Sequence, residues 1–334
     1  MDLGIGIVIV NWNVCDLLAN CLTALLADLD RSGLNGRVWV VDNGSQDGSP
    51  AMVRERFPDV RLIANEDNPG FGPANNRAFR EMGFEPDPPA PFPTKEGGEG
   101  LPSPFRGGAG GGIHLPFAVL CLNPDTEVRP GALRCLHDFM NFQPRVGIVG
   151  AKLLNPDGSL QHSGFRYPGL AQATLDLFPP PRPFERLLET RLNGRYPASC
   201  YSSKEPFQVD FTLGAAFMIR AEALGQSGGF DETYHLYCEE IDWAWRLERL
   251  GWERWLHPGA EVMHLGGKST SQTKSTSLRA LWQARRQLYT RYRSPLTVKL
   301  TGWLVRAAMH RRQRRASSSA EAETYRAIAN VWQV

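Results

Sequence analysis

Along the first third of the chain, apolar residues fall alternately into short continuous runs and into helix-period patterns. Leu3 to Val10 reads as a buried strand, Cys15 to Leu29 as a helix, Arg37 to Val41 as a strand, Ser49 to Phe57 as a helix, Val60 to Ile63 as a strand and Pro73 to Met82 as a helix. Strands alternating with helices at this spacing predict an α/β fold: a Rossmann-like, mostly parallel central sheet with helices on both faces. Ligands of such sheets sit beyond the carboxyl ends of the strands. The loops that matter are therefore those after Val10, Val41, Ile63 and Leu122.

The alternation stops between Phe84 and Pro116, where Pro and Gly leave almost nothing apolar to bury. Residues 84–116 are expected to form a disordered surface insertion, with a functional lid as the alternative. Pattern returns with an apolar strand at Phe117 to Leu122, a helix near Gly131 to Phe142 and a short strand at Val146 to Val149. Leu160 to Pro206 reads as irregular, Phe207 to Ile219 as strand, Glu239 to Leu250 as a helix closed by Gly251, and Trp252 to Leu256 as strand. From Leu278 onward the chain reads as one or two basic helices. The expected division is a domain over 1–272 followed by a basic helical tail over 273–334.

With 334 residues, 42% of them hydrophobic, the chain can bury a full enzyme core. Its net charge of +2 argues against a protein that coats nucleic acid. The charge is unevenly placed: eleven Lys and Arg and no acid lie between Arg279 and Arg315, leaving 26 basic against 35 acidic residues elsewhere. The mixture of Arg with Trp, Tyr and Leu around Leu281 to Tyr289 suits an anionic membrane surface. It equally suits a helix packed on the catalytic domain with a solvated basic face. Six cysteines without a C-x-x-C pair predict free thiols in a reducing compartment. The N-terminus lacks signal-peptide features, and no apolar stretch approaches the roughly 18 to 20 residues that cross a bilayer. A cytoplasmic location is expected, with peripheral contact at the inner face of the membrane through 279–315 as its extension.

Carboxylates collect at the predicted strand ends. Asp42-Asn43-Gly44-Ser45 follows one strand, where a carboxylate and an amide can read a base or ribose, although the same residues make ordinary turns and caps. Asn123-Pro124-Asp125 follows another, and a carboxylate there suits a hard divalent cation that also holds a diphosphate. Its alternative is an Asn-Pro turn with Asp125 capping the next helix. Glu239-Glu240-Ile241-Asp242 places three acids in four positions at a helix start, where the dipole tolerates negative charge. An i, i+4 pair with Arg246 accounts for Asp242 but not for the crowding of Glu239 and Glu240, which raises carboxyl pKa values as a general base requires. His264, after a strand-like run, is either a structural imidazole or a partner of Asp125 in a metal shell.

In order, the segments IVIVNWN (7–13), VVDNGSQDGS (40–49), NEDNPGFGPANN (65–76), LNPDTEV (122–128), GAAFMIR (214–220), GGFDE (228–232) and YCEEIDWAWR (237–246) resemble the family-2 glycosyltransferases of the GT-A fold, most closely the bacterial rhamnosyltransferase branch. The resemblance spans about residues 3 to 270. It implies that Val10, Asn11, Asn13, Asp42 and Asn43 face the nucleotide, joined by Asn68, Gly70, Asn75 and Asn123. It implies that Asp125 and His264 hold Mg²⁺ or Mn²⁺, with Asn123 standing where the family's D-x-D motif has its first Asp. The acidic motif of the family is Glu-Asp; here Glu240 takes the second position and is the favoured base, with Glu239 and Asp242 as alternatives. The implied partners are a dTDP- or UDP-sugar donor and a glycan or polyprenyl-linked acceptor, with rhamnose as the favoured sugar. The departures at Asn123 and Glu240 leave a second expectation, a nucleotide-sugar- or glycan-binding module that has lost turnover. A dinucleotide oxidoreductase is the weaker rival, because no G-x-G-x-x-G follows the first strand.

Overall fold

The computed structural model describes residues 4–85, 115–266 and 274–333; the expected insertion therefore lies almost wholly outside the described residues. Among the described residues the strands are β1 Ile5–Asn11, β2 Gly36–Asn43, β3 Arg61–Asn65, β4 Ala118–Leu122, β5 Thr126–Val128, β6 Val146–Leu154, β7 Leu160–Gln161, β8 Gly164–Phe165, β9 Phe207–Gln208, β10 Phe211–Thr212, β11 Ala216–Arg220 and β12 Glu253–His264. The helices are α1 Cys15–Ser32, α2 Ser49–Arg56, α3 Phe71–Glu81, α4 Ala132–Phe142, α5 Leu170–Leu177, α6 Ala198–Ser202, α7 Ala221–Ser227, α8 Glu239–Arg249, α9 Lys274–Tyr292, α10 Pro295–Gln313 and α11 Ser319–Val331.

The central sheet runs β3-β2-β1-β4-β11-β6-β12-β5. Its first four strands are parallel, as the alternation predicts, and β11 then runs antiparallel to both β4 and β6. Period-two alternation in β1 divides the core between the two faces. Ile5, Ile7 and Ile9 pack with Leu18, Leu22 and Leu25 of α1 and with Leu133 and Leu136 of α4. Val8 points the other way, toward Phe79 of α3, Phe230 and Trp243 of α8. Each such fully buried side chain contributes about 1.5 to 3 kcal/mol.

Three segments depart from the pattern. Phe207 to Ile219 is not one strand but β9, β10 and β11: β11 runs within the central sheet, β9 pairs with β12 at its side, and β10 pairs with β8 in a separate two-stranded sheet. The chain leaves the ladder where the Asp210 carboxylate accepts the Tyr167 N–H at 2.8 Å. The strand begun at Glu253 continues to His264, past an irregularity between His257 and Glu261. The basic tail forms three helices rather than one or two. Trp282 and Tyr289 of α9, Val305 and Met309 of α10, Ile328 of α11 and Trp332 just past its end share an apolar centre with Leu177 of α5.

The segment Leu281 to Tyr289, read from its composition as suited to a membrane, faces inward for the most part. Trp282, Ala284, Leu288 and Tyr289 are buried, and Arg285 pairs with Asp176 at 2.8 Å. Arg293 donates to the Pro168 carbonyl at 3.0 Å. Trp245 of α8 is stacked between Tyr167 and Tyr292, with centroids 4.0 and 4.3 Å away. The packing alternative is thus what α9 adopts. No helix among the described residues is long and apolar enough to cross a membrane, and all six cysteines are free.

Candidate active site

Register aligns the carboxyl ends of three strands. Asn11 lies opposite Asp42, and Ile9 opposite Leu122, so Asn123-Pro124-Asp125 extends β4 past the edge at which Asn11 and Asp42 end their strands. Asn11 and Asp42 are buried. The Asn11 amide donates to Asp42 Oδ1 at 2.8 Å and to Ser45 Oγ at 3.2 Å, while Asp42 Oδ2 accepts the Ser45 N–H at 2.9 Å. Asn13 sits at φ 52°, a left-handed conformation that Asn tolerates, and its Oδ1 accepts the Gln46 N–H at 2.8 Å. Ser45 thus closes the loop, a role that its place in a common turn sequence did not reveal.

A second network joins β2 to the loop before α3. Asn43 donates to Asn68 Oδ1 at 3.1 Å and to the Gly70 carbonyl at 3.2 Å, and accepts from Asn65 at 2.7 Å. Gly70 has φ 104°, and a Cβ there would lie 2.7 Å from the His235 carbonyl oxygen. Only glycine allows this loop to touch the segment leading into α8. Asn75 donates to the Phe71 carbonyl at 2.9 Å. The Oδ1 atoms of Asn11 and Asn75 are buried and accept no hydrogen bond within the protein. Val10 remains partly exposed at the end of β1.

Asp125 and His264, 139 positions apart in sequence, meet because β12 pairs with β5, placing His264 opposite Thr126. His264 Nε2 is 3.3 Å from Asp125 Oδ1, and both side chains are largely buried. Gln161 Oε1, 2.7 Å from Nδ1, orients the ring so that Nε2 faces the carboxylate. Gln161 was not singled out from the sequence; it comes from β7, a two-residue strand too short to leave a pattern. Asn123 is partly buried, and its carbonyl accepts the Thr126 hydroxyl at 2.7 Å. Among the described residues, no cluster of three or more Asp, Glu, His or Cys forms a complete metal shell. One carboxylate and one oriented imidazole fit a cation that takes its remaining ligands from phosphate and water, as Mg²⁺ and Mn²⁺ do.

At the start of α8, Tyr237 and Cys238 both adopt left-handed φ values, 70° and 68°. Consecutive non-glycine residues in this region each cost about 1 to 2 kcal/mol, and such strain concentrates at functional turns. Here it presents Glu239 and Glu240 from a helix start that has no side-chain cap. Glu239 is buried and its Oε2 has no hydrogen-bond partner in the protein. Burial, and then the charge of Glu240, raises the Glu239 carboxyl well above the usual range. Burial pushes Glu240 up to about 7. Both carboxyls are therefore held above the usual range, and Glu240 is the more accessible of the two.

Asp242 is different. Its carboxylate is fully buried and accepts from Arg246 Nε at 2.9 Å, Arg291 at 2.7 Å and the Tyr292 hydroxyl at 2.8 Å. Arg291 also bonds Asp231 at 2.6 Å. With its oxygens committed to three partners, Asp242 is less suited than Glu240 to take a substrate proton.

The raised carboxyls also make stability depend on pH. The folded protein holds protons that the unfolded chain would release at ordinary carboxyl values. The associated stabilisation is complete below those values and is lost as pH rises through about 7. The melting temperature of the ligand-free protein should therefore fall between about pH 5.5 and 8, and a Glu239→Gln/Glu240→Gln protein should show a flatter profile. Differential scanning fluorimetry across that range checks this; identical profiles would remove the raised pair from the account.

The model for glycosyl transferase family 2 matches residues 6–83. Over 248 residues the chain is 32% identical to the N-acetylglucosaminyl-diphospho-decaprenol L-rhamnosyltransferase of Mycobacterium tuberculosis, in strains H37Rv and CDC 1551 alike, covering 73% of this chain and 71% of that protein. Among solved structures, the mannosyltransferase PcManGT from Pyrobaculum calidifontis, in complex with GDP-Man and Mn²⁺, superposes with a TM-score of 0.53 at 16% identity, covering 98% of this chain and 83% of that one. GalNAc-T7 with UDP, GalNAc and Mn²⁺ gives 0.51 at 15% identity; 86% of this chain is covered, but it spans only 50% of that protein. The two structures establish the GT-A fold, and the extended sequence match establishes kinship: this chain belongs to glycosyl transferase family 2, in its rhamnosyltransferase-like branch.

Proposed function

We propose that the protein is an inverting, metal-dependent glycosyltransferase. It moves a sugar, rhamnose by analogy with the Mycobacterium tuberculosis relative, from a dTDP- or UDP-linked donor to a hydroxyl of a glycan or polyprenyl-linked acceptor in cell-surface polysaccharide synthesis. The reaction takes place in the cytoplasm, at the inner face of the membrane. Residues 1–272 carry the chemistry and 273–334 form the supporting tail. The observation that carries this reading is the convergence of Asp125 and His264 at the strand edge occupied by Asn11 and Asp42.

Asn11, Asn13, Asp42 and Asn43 line the nucleotide side, with Asn68, Gly70 and Asn75 opposite and Asn123 beside the diphosphate. The free acceptor oxygens of Asn11 and Asn75 suit the N–H and O–H donors of a base and ribose. Asp125 and His264 would hold Mg²⁺ or Mn²⁺, which when bound neutralises charge on the departing diphosphate. Glu240 takes the acceptor hydroxyl proton as that oxygen attacks the anomeric carbon. The bond to the diphosphate breaks on the opposite face, so configuration inverts.

A thermal-shift panel of nucleotide sugars with and without Mn²⁺ tests the assignment, because a ligand at about 100 times its Kd stabilises the folded state by about 2.7 kcal/mol. Asp125→Ala is expected to abolish the Mn²⁺-dependent part of the shift. An undiminished shift in that variant would take Asp125 out of the metal site. The replacement of the D-x-D motif's first Asp by Asn123 favours one rival, a binding module without turnover. Slow Mn²⁺-dependent hydrolysis of a nucleotide sugar would exclude that rival, whereas binding without turnover on any acceptor would favour it.

A further inference from the structure

Among the described residues, three of the seven large apolar side chains left most exposed lie on α10: Leu296 at 66%, Leu300 at 44% and Trp303 at 62% exposure. Their spacing of i, i+4 and i+7 puts them on one helical stripe. Exposed Ala307, Arg311 and Arg314 prolong the same stripe toward the C-terminus, flanked by exposed Lys299, His310 and Arg315. The opposite face of α10 already serves the fold, with Thr301, Val305, Ala308 and Met309 buried. The outward stripe is therefore left without a packing partner among the described residues. α10 contains no acidic residue.

We propose that this outward face of α10 is a docking surface for an anionic lipid bilayer. Leu296, Leu300 and Trp303 enter the headgroup boundary, and Lys299, Arg311, Arg314 and Arg315 meet lipid phosphates. The charge pattern selects this occupant over a second copy of the chain, because two such faces would bring like charges together. A tryptophan beside leucines, with a basic run along the same line, is the composition of helices that lie in a membrane interface. The inference goes beyond the catalytic reading and relocates the contact: α9 is consumed by packing, and α10 carries the free face. Vesicles without any acceptor suffice to test it, so its failure would leave the transferase assignment untouched.

Co-sedimentation of the full chain with phosphatidylcholine vesicles, with and without about 30% phosphatidylglycerol, is the experiment. The wild type should bind the anionic vesicles at least about tenfold more tightly, with the difference shrinking as salt rises. Leu296→Ser/Leu300→Ser/Trp303→Ser should lose about tenfold or more of that binding with an unchanged melting temperature, since the three side chains are exposed. Arg311→Gln/Arg314→Gln/Arg315→Gln should lose the preference for anionic lipid at about fivefold per cation. Absence of vesicle binding, or binding that neither triple variant weakens, overturns the proposal. So does a dimer, detected by light scattering, that the serine variant dissociates, which would assign the face to a second copy.

Discussion

Replacement of Glu240 by Gln is expected to lower kcat by about a thousandfold while donor affinity stays within about twofold, since a positioned general base contributes about 10² to 10⁴ in rate. The change removes only the proton-accepting oxygen and keeps the side chain's shape. Burial that raises Glu240 to about 7 makes its ionised form scarce in acid. The wild-type rate should accordingly climb with pH through about 7 and then level, because the base is the ionised form. The Gln variant should lose that acidic limb as well as the rate. Glu239→Gln discriminates between neighbours: it removes the more deeply buried carboxyl, and it should retain most of kcat. Its pH limb should stay near 7, because burial alone raises Glu240. Transfer by Glu240→Gln at the wild-type rate, or a heavier loss in Glu239→Gln, would exchange the two roles.

The parallel half of the sheet was legible because β1, β2 and β4 are apolar runs that end abruptly in polar turns. Those endings are also where Asn11, Asp42 and Asp125 stand, so the same signal marked both strand and site. Residues that act through distant partners were harder to read. Gln161 orients His264 across 103 positions, and Ser45 ties β1 to β2 through hydrogen bonds that no periodicity encodes. The breaks within 207–219 escaped notice because Asp210 and Gly214 interrupt an apolar run without ending it. The tail shows the same limit of composition. Basic and aromatic residues suggested a membrane surface around Leu281 to Tyr289, yet pattern alone could not say which helix face would be claimed by Tyr167, Asp176 and Trp245. Once α9 is claimed, the exposed stripe falls to α10.

The same integration of tail and catalytic helix makes Asp242 the most sensitive structural position. Asp242→Asn should destabilise the fold by about 3 to 5 kcal/mol, because it leaves Arg246 buried without a counter-charge and strips Arg291 of one of its two carboxylates. For a chain of this size, such a loss corresponds to a fall in melting temperature of roughly 4 to 7 °C. Arg246 would keep its bonds to the Ser227 and Gly229 carbonyls, but carbonyl dipoles replace an anion poorly. Arg291→Ala should cost less than Asp242→Asn, since Arg291 is partly solvated and Asp231 and Asp242 would keep other partners. The two changes should be less than additive when combined, because they remove one shared contact. Activity supplies the decisive comparison. If Asp242 only positions α8, its Asn variant assayed well below its melting temperature retains the wild-type pH limb near 7, with a reduced plateau that follows the looser seating of Glu240. A variant that melts like the wild type but has lost both the plateau and the limb would instead make Asp242 the base, and Glu240 its neighbour.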